Sequence, residues 1–192
     1  VRGRPCGRSG RVSGLREADG GSGCRPARDR AGQAVSGCHE LKLVSTAGKA
    51  APCSLRAALF QGLAPDGGLY LPASLDPLPT DVLAGLRGAP LERTAFTIAR
   101  HLMGDELEPA VLQQIIRDAL DFPIPLAPFT NGVHVLELFH GPTLAFKDVG
   151  ARLMARLLAA FHAGADHPLT VLVATSCDTG GAVAHAFFGL TQ

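Results

Sequence analysis

The sequence predicts an α/β fold, and three observations carry that reading. Apolar residues make up 46% of the 192 residues and charged ones 18%, enough to build a core. From Val133 onward the pattern runs strand, helix, strand, loop, helix, the order of a parallel α/β sheet. Before that, from Leu41 to Pro128, short strands and short helices alternate as in a small α+β unit. The length suits one ordinary domain or parts of two.

Residues 1–40 carry eight arginines, nine glycines and four acids, with few apolar side chains. Such a segment cannot offset the entropy of ordering and is expected to stay disordered. It lacks the apolar stretch of a secretory signal and the periodicity of an organelle transit peptide, so it reads as an extension without a folded role.

Order is expected to begin near Leu41. "LKLVST" reads as a strand, "SLRAALFQG" as a helix capped by Ser54 and closed by Gly62, and "APDGGLYLP" as a glycine turn feeding a strand that pairs with the first. A proline-rich connector, Pro72 to Pro79, leads to a short helix opening at Thr80 or Asp81. Glu92 to Met103 is helical. Leu107, Val111, Leu112, Ile115, Ile116, Ala119 and Leu120 mark the next helix, with Asp105 and Glu108 as a capping box. The prolines of "DFPIPLAP" end it.

Val133 to Phe139 reads as a strand, "GPT" as a turn, and Leu144 to His162 as a helix whose stripe is Phe146, Val149, Leu153, Leu157 and Phe161. Leu169 to Thr175 is a continuous apolar run, expected as a strand buried on both faces. "SCDTGG" is a loop before a helix in "AVAHAFFGL". A doubly wound sheet needs about five or six strands. From Val133 onward only two are supplied, so the sequence is expected to be part of something longer.

The formal charge of +1 gives no reason to expect nucleic acid or an anionic membrane as partner, and no run is apolar enough to cross a bilayer. Five cysteines, at 6, 24, 38, 53 and 177, form no C-x-x-C pair and no zinc spacing, which suits a cytoplasmic protein without a metal centre. The oligomeric state is left open.

Two features could carry chemistry. In "TSCDTGG" a strand end opens a helix, and its free backbone N–H groups with Ser176 and Thr179 suit a phosphate or carboxylate, while Asp178 could accept from a ligand hydroxyl. The same residues could simply cap the helix. Lys147 is one of three lysines beside fifteen arginines and sits next to Phe146 at a helix start, where the dipole disfavours a cation. A neutral amine there could attack an aldehyde; an exposed lysine paired with Asp148 is the plainer alternative. Together the features suggest a cofactor with both an aldehyde and a phosphate, which is pyridoxal 5'-phosphate. Cys177 could separately act as a thiol at a helix N-terminus, and His140 in "FHGPT" is the histidine to test near a cofactor.

"ELFHGPTLAFKDVGAR" and "LVATSCDTGGAVAHAFFGL" resemble threonine synthase, a pyridoxal-phosphate enzyme family of fold type II. "LKLVSTAGKAAPCSLRAALFQGLAPDGGLYLP" resembles that family's N-terminus and "DFPIPLAP" its connector. The resemblance implies a partial fold type II architecture: a small N-terminal α+β domain over 41–128, then the first strands of a parallel-sheet cofactor domain over 129–192. It makes Lys147 the Schiff-base lysine and proton shuttle, with Phe146 beside the cofactor. It puts Asp178 near the cofactor's ring hydroxyl, and Ser176 and Thr179 near the substrate carboxylate. The implied reaction turns O-phospho-L-homoserine and water into L-threonine and phosphate. A threonine-synthase-like phospho-lyase and an inert fold remnant are the alternatives. Two departures stand out: Cys177 replaces a family glycine, and the family's phosphate-gripping loop lies further downstream. The chain alone is therefore expected to be inactive.

Overall fold

The computed structural model describes residues 41–190; the extension expected over 1–40 lies outside the described residues. β1 (Leu43–Ser45) pairs antiparallel with β2 (Tyr70–Pro72), Leu43 standing opposite Pro72 and Ser45 opposite Tyr70. Between them α1 (Leu55–Gln61) starts where Ser54 Oγ accepts from the Ala57 N–H at 3.3 Å and stops at Gly62, whose φ is 71°. The strand pairing, the cap and the closing glycine are all as the sequence predicts. Leu41, Leu43 and Ala58 are buried together, with Cys53, Leu55 and Tyr70 packed on them.

Asp66 fastens this corner. Its carboxylate accepts from Ser45 Oγ at 2.6 Å and from the N–H groups of Lys49, Ala50 and Gly68 at 2.9, 2.8 and 3.1 Å. Those bonds hold its pKa down to about 2, the Ser45 hydroxyl contributing most. Gly68 touches the same knot: a Cβ there would stand 2.1 Å from Ser45 Oγ.

α2 (Thr80–Gly85) and α3 (Leu91–Met103) follow, and α4 (Pro109–Ala119) packs on α3 through Ala99, Leu112 and Ile116. The expected capping box does not form. Pro109 at the first helical position opens α4 directly after Glu108, which makes no side-chain cap bond. Asp105 therefore lies too early to cap and pairs with Arg100 instead.

β3 (Leu126–Thr130) and β4 (Val133–Leu136) form an antiparallel hairpin with Leu126 opposite Leu136 and a bulge between Pro128 and Thr130. β3 departs from the expected proline connector: proline is tolerated on an edge strand, where no ladder bond is asked of its nitrogen. β4 ends at Leu136, short of the expected Phe139. The boundary expected at 128/129 falls inside β3.

α5 (Lys147–His162) and α6 (Cys177–Phe187) lie against each other through Ala151, Ala155, Ala182 and Ala186, whose small side chains let two helices approach closely. The buried face of α5 holds Leu157, as expected, but also Leu158 and His162, which lie off the expected stripe, and Phe146 at the start of that stripe is 60% exposed. Arg152, buried on α5, donates from Nε to Ala119 O at 2.9 Å and from Nη2 to Asp118 O at 2.6 Å, and pairs with Asp121 at 2.7 Å. It thereby satisfies the last carbonyls of α4, which have no helical partner of their own.

The fold mixes helices and strands as expected, but both sheets among the described residues are antiparallel pairs, and no strand stands between α5 and α6. Among the described residues Leu169 to Thr175 joins no ladder, and Leu172 is 91% exposed rather than buried. A strand needs neighbouring strands, and among the described residues no strand pairs with this run.

Candidate functional site

The site lies where α5 and α6 begin. Lys147 is the first residue of α5 and Asp178 the second of α6, so packing the two helices brings their first turns together. Lys147 Nζ donates to Asp178 Oδ2 at 2.5 Å, and the amine lies 4.2 Å from the centroid of the Phe146 ring. The amine thus faces the 176–180 turn, not the outer surface. Two opposite charges at two helix starts are not equivalent: the dipole of α6 favours Asp178, whereas that of α5 opposes Lys147. Their pairing offsets the second effect. The hydrogen bond from Lys147 holds the Asp178 carboxyl below its ordinary range.

An apolar groove of about 480 Å³ opens beside the amine, lined by Phe146, Lys147, Met154, Thr179 and Val183 among others. Thr179 donates its N–H to Asp178 Oδ1 at 3.0 Å. Ser176 is the N-cap of α6 but makes no side-chain cap bond, so the plain capping reading does not account for its hydroxyl. "SCDTGG" is accordingly the first turn of α6 rather than a loop, because the helix starts at Cys177 and not at Ala182. Cys177 itself sits at φ 42°, the left-handed region that glycine occupies without strain. It is exposed, as is Phe146, whose ring flanks the amine without burying it.

Lys147 does not pair with Asp148. Asp148 is fully buried and turns back to Thr143, accepting from its N–H at 2.8 Å and its Oγ1 at 2.7 Å. Sequence reasoning named this second carboxylate only as the partner of an exposed lysine and missed its buried role, for which its position five residues after Thr143 was the only signal. Met154 and Val183 were missed as groove walls for want of any pattern that sets them apart from core. His140 is engaged with Glu137, at 2.6 Å between Nε2 and Oε2. The structure therefore brings Lys147, Phe146, Asp178 and Thr179 together, whereas Ser176, the exposed N-cap of α6, is not among the groove-lining residues.

Residues 42–120 match the family model described as "Threonine synthase N terminus". The chain is 42% identical over 137 residues to threonine synthase of Escherichia coli, covering 71% of this chain and 32% of that protein. It is 45% identical over 133 residues to threonine synthase of Haemophilus influenzae, covering 69% of this chain and 30% of the relative. Among solved structures it superimposes on PLP-bound threonine synthase from Brucella melitensis with a TM-score of 0.73 and 40% identity, over 78% of this chain and 33% of that one. The chain thus spans about a third of the length of the curated relatives it matches.

Proposed function

We propose, on the premise that residues 42–120 of this chain belong to the threonine synthase N-terminus family, that the chain supplies the cofactor-holding lysine of a threonine synthase. The reaction is the conversion of O-phospho-L-homoserine and water to L-threonine and phosphate. The observation that carries it is the amine of Lys147 set between the Phe146 ring and Asp178 at the mouth of an apolar groove.

These residues suit pyridoxal phosphate, since a lone primary amine flanked by an aromatic ring and apolar walls is what an aromatic aldehyde would meet. When bound, that cofactor supplies an aldehyde for the amine and a ring that takes up carbanion charge. Lys147 Nζ would hold it, then move protons at the α and β carbons of the substrate as phosphate leaves the γ carbon. Asp178 keeps the amine in place and can accept from a ring hydroxyl. Thr179 and Ser176 offer donors to the substrate carboxylate. Leu138, Met154 and Val183 give the groove apolar walls. The assignments to substrate and cofactor, like the division at 128/129 and a cytoplasmic setting, are part of this proposal.

Cys177 favours a second reading, an inert remnant of the fold. Its side chain stands at a backbone angle that suits glycine, in the turn meant to meet ligand. Titration with pyridoxal phosphate separates the two. In a folded protein of the relatives' length that carries this chain, the proposal expects a visible absorbance band that saturates and is lost in Lys147→Ala; no band there favours the remnant. In a protein of the relatives' length carrying this chain, phosphate and threonine should appear in equal amounts from O-phospho-L-homoserine. Phosphate without threonine would point to a phospho-lyase.

A further inference from the structure

The first turn of α5 lacks the usual fastening. Phe146, its N-cap, offers no side-chain acceptor, and the residues before it turn through Leu144 at φ 58°, a costly angle for a branched side chain. What fixes this end lies inside. Asp148 is 0% exposed, and its two carboxylate oxygens take the N–H and the hydroxyl of Thr143. A buried carboxylate is tolerated only where such donors meet it, here with the helix dipole in support. Gly141 closes over the same group: a Cβ there would stand 2.5 Å from Asp148 Oδ2 and 2.7 Å from its Cβ. The Leu144 N–H returns to Gly141 O at 3.0 Å, so the 141–144 turn is tied both to itself and to Asp148.

Consecutive residues on a helix point about 100° apart. Asp148 pointing into the turn therefore fixes the rotation at which Lys147 leaves the helix, and that rotation is the one that meets Asp178. We propose that Asp148, with Gly141 and Thr143, is the positioning residue that aims Lys147 into the groove. The proposal deepens the reading of Lys147 as the cofactor lysine and rests on it for its purpose, though its geometric content can be tested without cofactor.

The chain has three lysines, and Lys42 and Lys49 are exposed, so they serve as internal references. Brief acylation with an amine-reactive ester, read by mass spectrometry, gives the labelling of Lys147 relative to the other two. In the unaltered chain Lys147 should label several-fold more slowly than either, because Nζ is paired and partly covered. In Asp148→Asn and Asp148→Ala that protection should be lost while the Lys42 to Lys49 ratio stays constant. Thr143→Val, which removes only the hydroxyl donor, should lose part of it and covers the case in which the Asp148 variants fail to fold. Asp66→Asn, which loosens the β1–β2 corner and none of the bonds at the start of α5, should leave the protection intact, as a merely structural effect would not. Folded Asp148 variants, or Thr143→Val alone if they do not fold, that keep full protection would overturn the proposal. The failure of the cofactor reading looks different: protection follows Asp148 as expected, yet pyridoxal phosphate adds to no lysine.

Discussion

Lys147 and Asp178, thirty-one residues apart in sequence, meet at 2.5 Å because α5 and α6 start side by side. The pair joins a cation that its own helix disfavours to an anion that its helix favours. Asp178 Oδ1 takes the Thr179 N–H as well, so both oxygens are engaged.

The consequence for Asp178 is a carboxyl that titrates below the ordinary 3.8, chiefly through the hydrogen bond from Lys147. A depressed folded pKa means that the pair's contribution is complete above the unfolded value and fades as pH falls through the folded one. The side chain is 55% exposed, so the effect on overall stability is small. Carbonyl NMR of labelled Asp178 should show the low midpoint, and Lys147→Ala should bring it back up towards 3.8. An unchanged midpoint would mean that the two groups do not pair in solution.

Asp66, at the β1–β2 corner, is a second carboxylate held low by its hydrogen bonds. With a folded pKa of about 2 against 3.8, it favours the native corner above pH 3.8 and withdraws that support between pH 3.8 and 2. Asp66→Asn should be less stable than the parent near neutral pH and should lose less stability on acidification across that window. Denaturant midpoints at several pH values read it. Parallel pH curves for the two proteins would contradict it.

Cys177 at φ 42° stands in the left-handed region. Relief of strain by Cys177→Gly is worth ~1–2 kcal/mol, and glycine's greater freedom in the unfolded chain takes back ~0.5–1 kcal/mol. A modest rise in thermal midpoint is expected, with tighter uptake of pyridoxal phosphate if this turn meets the cofactor. A fall in midpoint would place the residue in an unstrained conformation.

Leu112 is 1% exposed at the centre of the α3–α4 contact. Leu112→Ala should cost about 2–5 kcal/mol, from lost burial plus the cavity left behind. Calorimetry measures it. Because α4 is tied to α5 through Arg152, loosening α4 should also broaden the unfolding transition of the helical part; a change below ~1 kcal/mol would show that the site collapses on itself.

Local signals were the legible part of this chain. Ser54 and Gly62 delimit α1 because each acts on its own few residues of backbone, and the pairing of β1 with β2 follows from two short strands bracketing one helix. Asp105 and Glu108 have the right spacing for a capping box, but spacing does not show that Pro109 resets the start of the helix. The β3–β4 hairpin is signalled by Asn131-Gly132, at φ 47° and 78°, the angles of the two-residue turn that matches strand twist; the prolines before it argue against a strand in any but an edge position. Leu169 to Thr175 reads as a buried strand because apolar sequence records what a segment suits, not which neighbours lie beside it.

At the site, Lys147, Phe146, Asp178 and Thr179 could be named from residue type and resemblance. What could not be read was the partner of the lysine. Asp148 is adjacent in sequence and Asp178 distant, and only the packing of α5 on α6 decides between them. The buried role of Asp148 was hidden for the same reason: it depends on a turn closing over the side chain at Gly141, which no periodicity reports.

The central claim is that the amine of Lys147 is placed to capture an aromatic aldehyde. Mixing a protein of the relatives' length that carries this chain with pyridoxal phosphate, reducing with borohydride and mapping the added mass by peptide sequencing tests it most directly. Modification confined to Lys147, and abolished by Lys147→Ala with Lys42 and Lys49 still unmodified, is the expected result. Equal modification of all three lysines, or none at Lys147 in the folded chain, would contradict it.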